Sequence, residues 1–506
     1  MNKFSPITSR LIVLSIILFS FTASLANAEK TSVEPADSWV YNSLNLIYHY
    51  HPPEHFVNQR PLWRGDIIAY LDRNETSPHP VSTWERQRIL SEYATLPELS
   101  GDTQRNSTAW LKLSPYSMNR FEDHDKPLFR LGFVGEGVYR YGDNLFLQMR
   151  GRFGNRTYLD SFAKVRKWGE DGGGYFDHGL LGLRYKSLRF TFGRTFRTYG
   201  PYDKDRLLVS ANSPAFDQAS LEFRHDWFRF HFWTAQLDHF TDPEDSLWIN
   251  RFYSSHRLTL KPHRRLEIGI SESILYGRKG GSFDFQYINP FLFFYGEQFN
   301  TRNDENIYFG LDLTWFAHPG LILFGELLFD DFQIDFVTEP HQIGFNLGIS
   351  ELGLLLSDRL QLVMDYTHIR NTVYGQNKFY NVYAHHGVVI GSSLGTDADR
   401  LRATAIAHLN PSLRISLAGE YSRKGEGRYD DPQEHGVEKG EKFPSGRVET
   451  TRIAFLKLEL NRQSVLQAEL TAGYRDIRNW KNYNIDRDTY FINLNLRYSF
   501  RFGIIL

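Results

Sequence analysis

Residues Thr489 to Phe502 read TYFINLNLRYSFRF, and that stretch decides the fold. Its even positions are Tyr490, Ile492, Leu494, Leu496, Tyr498, Phe500 and Phe502. Between them stand Asn493, Asn495, Arg497, Ser499 and Arg501, with Phe491 the exception. A period of two means a β-strand with one apolar and one polar face. Strands of water-soluble proteins usually stop after about 5–6 residues. Crossing a bilayer at the tilt of a closed barrel takes roughly 10. The alternation recurs upstream. Ile307, Phe309, Leu311, Leu313 and Trp315 alternate with Tyr308, Gly310, Asp312 and Thr314, and Phe228, Phe230 and Phe232 alternate with Arg229 and His231. The pattern predicts an all-β, antiparallel transmembrane barrel. A soluble β-sandwich needs apolar faces too, but neither strands this long nor aromatics at both strand ends.

The first residues have the parts of a secretory signal. Lys3 and Arg10 supply positive charge, Leu11 to Phe21 the apolar run, and Ala26-Asn27-Ala28 a small-x-small cleavage site. Export predicts the outer membrane of a Gram-negative cell. The signal takes two basic residues and no acid from a total of 58 Lys+Arg and 59 Asp+Glu, which leaves a mature charge of about −3. That balance does not suggest nucleic acid as a partner. Cysteine is absent, which suits an oxidising compartment and excludes thiolate chemistry. A mean hydropathy of −0.44 excludes a helical membrane protein but not a barrel. Aromatics at 15% suit two interfacial belts.

The chain divides into a signal peptide (1–28), a helical module (29–104) and the barrel (105–506). In the module, Val40, Leu44, Ile47 and Tyr48 have helical spacing after a candidate N-cap, Asp37. Asp66 to Leu71 reads as a second helix. Ser82 and Glu85 form a capping box for a third, which carries Trp84, Ile89, Leu90 and Tyr93. The module either hangs in the periplasm or lodges in the barrel mouth; the alternative is a loose arm. Beyond residue 105, short turns such as 141–144, 186–187, 317–320 and 410–412 alternate with long connections. The long ones lie near 155–177, 199–218, 238–250, 274–305, 370–397 and 422–447, and shorter ones near 332–340 and 477–487. Bacterial barrels place long loops outside and have even strand numbers. About 17 strands follow Pro127, so Thr108–Tyr116 is recruited to make 18, although Pro115 weakens its upper end.

Several clusters invite chemistry. His49, His51 and His55 surround Pro52 and Pro53, share no helix or strand face, and read as a solvated turn rather than a metal site. His385 and His386 lack a nucleophile context, and neighbours on a strand face opposite ways. Gly172-Gly173-Gly174 lacks the lysine and helix of a phosphate loop and reads as a flexible loop. Asp330, Asp331, Asp335 and Glu339 offer oxygen ligands for Ca²⁺, although solvated loop acids are commoner. No metal, cofactor or catalytic residue is assigned, and the chain is read as a non-enzyme. The loops are more informative. Tyr158, Trp168 and Tyr175, and then Tyr374, Tyr380 and Tyr383, stand beside charged and amide side chains. An aromatic face beside polar groups is what a sugar ring needs; packing of the loops or a belt explains the same residues.

The order of landmarks resembles the Wzi-type capsule-assembly family over nearly the whole mature chain. It runs from Asp37-Ser38-Trp39-Val40-Tyr41 and Arg60-Pro61-Leu62 through Gly193-Arg194, Tyr199-Gly200-Pro201 and Leu207-Leu208-Val209-Ser210. It continues through Ile268-Gly269-Ile270-Ser271-Glu272, Tyr287-Ile288-Asn289-Pro290 and Asn303-Asp304-Glu305-Asn306. It closes on His386-Gly387, Ile390-Gly391, Leu394-Gly395 and Thr396-Asp397-Ala398-Asp399. The resemblance implies an 18-stranded barrel with a helical element at its periplasmic side, which holds capsular or other exported polysaccharide through its loops. Two features depart from the family: Tyr199 stands where a Trp is usual, and the chain runs on past its aromatics to Leu506. The expected platforms are Trp168, Tyr175, Tyr199, Tyr202, Tyr380 and Tyr383, with Arg194 and Asp397 as hydrogen-bonding partners. The expected partners are polysaccharide and outer-membrane lipids, with the barrel as a monomer. The rival is a porin or substrate-selective channel; a lipid-modifying enzyme is the weaker one.

Overall fold

A computed structural model describes residues 32–505 apart from 75–76, 78, 95–106, 124, 161–164, 204, 302–304, 332–341, 432–441 and 463–464. The signal segment lies outside the described residues, as do Asp335 and Glu339. Among the described residues, eighteen antiparallel strands close into a barrel, joined by one short extra piece, Phe240–Thr241. The strands are β1 (Ser107–Glu122), β2 (Leu128–Tyr141), β3 (Leu145–Asn155), β4 (Gly172–Tyr185), β5 (Leu188–Thr195), β6 (Phe216–Arg224), β7 (Phe228–Gln236), β8 (Trp248–His263) and β9 (Leu266–Lys279). They continue with β10 (Asn306–His318), β11 (Leu321–Asp331), β12 (Gln342–Leu352), β13 (Leu360–Ile369), β14 (Ala398–Asn410), β15 (Leu413–Lys424), β16 (Glu449–Arg462), β17 (Leu466–Arg478) and β18, which runs Arg487–Tyr498 and then Phe500–Ile505.

The closing seam corrects one expectation. Rather than fading at Pro115, β1 runs on to Glu122. Arg497 pairs with Tyr116 and Phe500 with Leu113, so the proline falls in the gap where β18 breaks at Ser499. A residue with no N–H is tolerated where the ladder is already interrupted. The glycine run is also corrected: Gly172 to Gly174 open β4 instead of a loop. A Cβ on Gly173 would lie 2.4 Å from the Thr157 hydroxyl, so only glycine lets those two segments meet.

Alternation sorts the strand residues by solvent. Leu347, Leu417, Leu456, Phe502 and Tyr490 stand exposed on the outer wall, where lipid replaces water. Asp312, Glu267, Arg257 and Glu326 point inward and are buried. What buries them is the module. Its helices α1 (Val40–Tyr48), α2 (Arg64–Arg73) and α3 (Pro80–Ala94) pack inside the lumen at the short-turn end. Val40, Leu44, Ile67 and Ile89 share a core with the strand residues Trp110, Val138, Phe316 and Ile322. Ion pairs fasten them: Arg64 to Glu34 at 2.8 Å and to Glu136 at 3.1 Å, and Asp66 to Arg189 at 2.7 Å and to Arg224 at 2.5 Å.

Neither predicted helix cap is used. Ser38, not Asp37, meets the first turn of α1, at 3.2 Å from the Val40 N–H. Asp37 instead receives Arg150 and Arg152, each at 2.8 Å. Burial would raise its carboxyl, but the two guanidiniums outweigh that and hold it below the usual carboxylate range. Ser82 lies inside α3, which starts at Pro80, and Glu85 accepts from Ser43 at 2.6 Å. The histidine turn is not solvated either, since His49 and His55 are buried. His49 Nδ1 lies 2.8 Å from the Asn45 carbonyl, so that nitrogen carries the proton, and Nε2 lies 2.9 Å from the Ser350 hydroxyl.

Burial pushes the His49 imidazole down to about 4, and the nearby His79 and His408 add to the effect. The unfolded imidazole titrates near 6.5. Its contribution is therefore complete above about pH 6.5 and is lost as pH falls towards 4, to the extent of ~3 kcal/mol. The expected result is that residues 32–94 lose protease protection between pH 6.5 and 4.5, and that His49→Gln flattens this dependence. Equal protection at both pH values would refute it.

Candidate functional site

At the long-loop end two connections turn inward. Leu207, Leu208 and Val209 from the β5–β6 loop meet Val373, Tyr374, Tyr383 and Ile390 from the β13–β14 loop. Together they pack on the inward faces of Trp233, Tyr253 and Tyr308. Apolar residues on two opposed loops can bury themselves in this way only by entering the lumen. The lumen is thus filled by helices at one end and loops at the other. A space of about 360 Å³, lined by Arg64, Lys112, Glu136, Arg150 and Arg497 among others, remains beside the module.

The inward turn accounts for most of the predicted platforms. Tyr383 is fully buried; its hydroxyl donates to the Leu208 carbonyl at 2.7 Å, and its ring centroid lies 4.0 Å from that of Tyr308. Tyr199 is buried with its hydroxyl 2.6 Å from His231 Nδ1, and its backbone pairs with Gln59 of the module. Half-buried Tyr202 stacks on Phe324 at 4.8 Å, and its carbonyl accepts from Arg60 and Asn45. Asp397 is wholly buried and accepts from the Ser445 hydroxyl at 2.6 Å and the Gly427 N–H at 3.0 Å, joining two loops. These four fasten the plug rather than face outward. Tyr380 is half-buried, and its carbonyl takes the Arg251 Nε at 2.6 Å. Of the four acids, Asp330 is a buried residue near the end of β11 and accepts the Tyr374 N–H at 2.5 Å. Among the described residues no three His, Asp or Glu side chains are grouped as a metal would need.

The other three come together. Trp168, Tyr175 and Arg194 line one open cleft of about 550 Å³ on the long-loop rim. A reciprocal backbone pair with Gly172, at 2.8 and 3.1 Å, holds Trp168, whose side chain is 53% exposed. Tyr175 is half-buried, with its hydroxyl 3.4 Å from Asp160. Arg194 holds Asp217 through two bonds of 2.8 and 2.5 Å in an exposed bidentate pair. Preformed geometry of this kind spares a ligand the cost of ordering the side chains. Asp217, His239 and the His385-His386 pair are also part of the lining, and none of them was expected there.

The histidine pair is not on a long strand. Ala384–His385 pairs with Val388–Val389, and His386 and Gly387 form the two-residue turn at φ 53° and 77°. Their signature was the His-Gly dipeptide, because a turn of this kind needs positive φ at both central positions. The turn swings the two rings to within 4.3 Å, so the opposite-faces argument does not apply. Asp238 lies 3.3 Å from His385 and 3.1 Å from Arg251. Burial raises the Asp238 carboxyl, but these two partners overcome it and keep it ionised below the usual range.

A lipid-facing closed barrel with a filled lumen and a rim cleft defines the class: an outer-membrane β-barrel whose plug is part of its own chain. Within that class the chain belongs to the family of the capsule assembly protein Wzi, which matches residues 115–490. Among solved structures, Wzi of Escherichia coli, described as a carbohydrate-binding β-barrel involved in group 1 capsule assembly, superposes with a TM-score of 0.65. That match covers 93% of this chain and 99% of the other at 12% identity. OccAB1 of Acinetobacter baumannii gives a TM-score of 0.48 at 10% identity over 79% of this chain and 99% of the other. OccD3 of Pseudomonas aeruginosa gives 0.46 at 10% identity over 78% and 91%. Curated protein sequences yield no match.

Proposed function

We propose that this protein holds capsular or other exported polysaccharide at the cell surface, without catalysis, in the rim cleft. The observation that carries this reading is the convergence of an exposed Trp168, Tyr175 and the Arg194–Asp217 pair on one outward cleft. A pyranose offers an apolar face to stack and hydroxyls to bond, and the cleft supplies both kinds of partner. Family membership and the carbohydrate-binding E. coli relative support the same ligand class. The filled lumen speaks against an open pore. In this reading residues 32–94 are a periplasm-side plug, and one copy of the chain is sufficient.

A deletion strain tests it. Surface polysaccharide is measured as cell-bound and released material. The expected result is normal synthesis with most of the polymer shed into the medium. Unchanged retention together with slower uptake of a small solute would replace this reading with the channel.

A further inference from the structure

The β9–β10 connection folds back over the outer wall of the barrel. Inward positions of β9 are marked by Glu267, which bonds the module at Val57 and Asn58, so Ile270, Glu272, Ile274 and Tyr276 face the other way, out of the barrel. By the same alternation Phe232, Phe252, His256, Ile307 and Phe309 are outward-facing. On an open barrel wall they would meet lipid, yet Phe232, Phe252, Ile274 and Tyr276 are buried. Their cover is the connection itself. Tyr287 and Phe294, the latter opening a short helix α4 (Phe294–Thr301), pack on this outer cluster. From Lys279 at the strand end, the loop doubles back to the level of Glu272, a distance on the order of 20 Å along the strand.

Its docking is polar underneath and apolar outside. Glu272, outward-facing and buried, accepts the Phe294 and Tyr295 N–H groups at 3.1 and 2.8 Å. It also meets His256 at 2.7 Å. A carboxylate on a lipid-facing wall is costly, and the start of α4 caps it with donors. On the far side Phe285, Phe291 and Phe293 are 85%, 83% and 57% exposed. Phe291 stacks on the outward-facing Phe230 at 5.7 Å, so this apolar surface is continuous with the bare wall below, where Ile270 and Leu311 are exposed.

We infer that residues 280–301 form a membrane-embedded flap, with Phe285, Phe291 and Phe293 in contact with lipid acyl chains. Phe291 and Phe293 reach the outward-facing Phe230 and Phe309, and Phe285 is exposed on the same connection, an apolar surface that water disfavours and that joins the phase bathing the barrel wall. The flap therefore takes no part in the rim cleft, and the inference stands independently of the polysaccharide reading.

The chain has no cysteine, so Phe291→Cys and, separately, Phe285→Cys carry a single nitroxide each. The full-length labelled protein is reconstituted in phosphatidylcholine vesicles and probed with oxygen, which partitions into lipid, and with a water-soluble nickel chelate. Labels at Leu347→Cys on the bare wall and at Asn377→Cys on an exposed loop set the two limits. The expected result is relaxation by oxygen several-fold stronger than by nickel at both flap positions, as at residue 347. Nickel access like that at residue 377 would overturn the inference in favour of a flap in water. Shelter from both agents would overturn it in favour of a protein partner.

Discussion

Alanine at Asp312 is expected to cost about 3–5 kcal/mol of unfolding free energy, among the largest single-residue effects in this chain. Asp312 receives Arg257 through two bonds, at 2.5 and 2.9 Å, and Asn58 of the module at 2.8 Å. Arg257 is 1% exposed, so removing the carboxylate leaves a buried guanidinium without its counter-charge. The Asn58 side-chain amide loses its acceptor in the same step, although its oxygen still accepts from Thr314 at 2.7 Å and its backbone N–H still donates to Glu267 at 2.9 Å. Replacing both charges, as Arg257→Met with Asp312→Leu, removes the stranded ion and is expected to cost far less. Denaturant unfolding in detergent reads both variants; an Asp312→Ala effect under about 1 kcal/mol would show that water reaches the pair. Conductance supplies a second readout. The plugged barrel is expected to give almost no current in planar bilayers, whereas Asp312→Ala loosens the module and produces intermittent steps.

The barrel was legible in the sequence because its cause is local. Each strand must alternate to keep lipid on one face and polar groups on the other, so TYFINLNLRYSFRF states its own environment. Turn residues did the same for strand number. What the sequence hid depends on partners far along the chain. Asp37 looks like a helix cap until Arg150 and Arg152 arrive from β3. Tyr199 and Tyr383 have the composition of sugar platforms, but nothing nearby in sequence says that Leu208 and His231 take their hydroxyls. Trp168 and Tyr175 have the same composition and remain on the surface. The difference between the two groups lies in how the aliphatic residues are grouped: the consecutive runs Leu207-Leu208-Val209 and Val388-Val389-Ile390 in one case, and Leu159, Ala163 and Val165 scattered among charges in the other. The flap was similarly invisible, because its phenylalanines read as one more long connection until Glu272 is seen to face outward.

That distinction sets the second large effect. Trp168→Ala combined with Tyr175→Ala is expected to weaken binding of the exported polymer roughly 30-fold per site, taking about 1 kcal/mol for each lost aromatic contact. Retention on cells should fall further, because many weak sites along one polymer multiply their effects. Tyr383→Phe is the informative contrast. It removes a buried hydroxyl bonded to Leu208 and should cost about 1 kcal/mol of stability while leaving polymer affinity unchanged. Binding of labelled polymer to purified protein and unfolding in detergent are measured on the same samples. If Tyr383→Phe lost affinity and the Trp168 and Tyr175 double variant kept it, the ligand would sit against the plug rather than on the rim. The Arg194–Asp217 pair separates the remaining cases. Asp217→Asn frees a guanidinium at the cleft edge, so affinity should rise for a polymer carrying carboxylates or phosphates and stay level for a neutral one. A rise that disappears at high salt would identify the ligand as acidic, because an exposed charge contact is screened within about 10 Å at 0.1 M ionic strength.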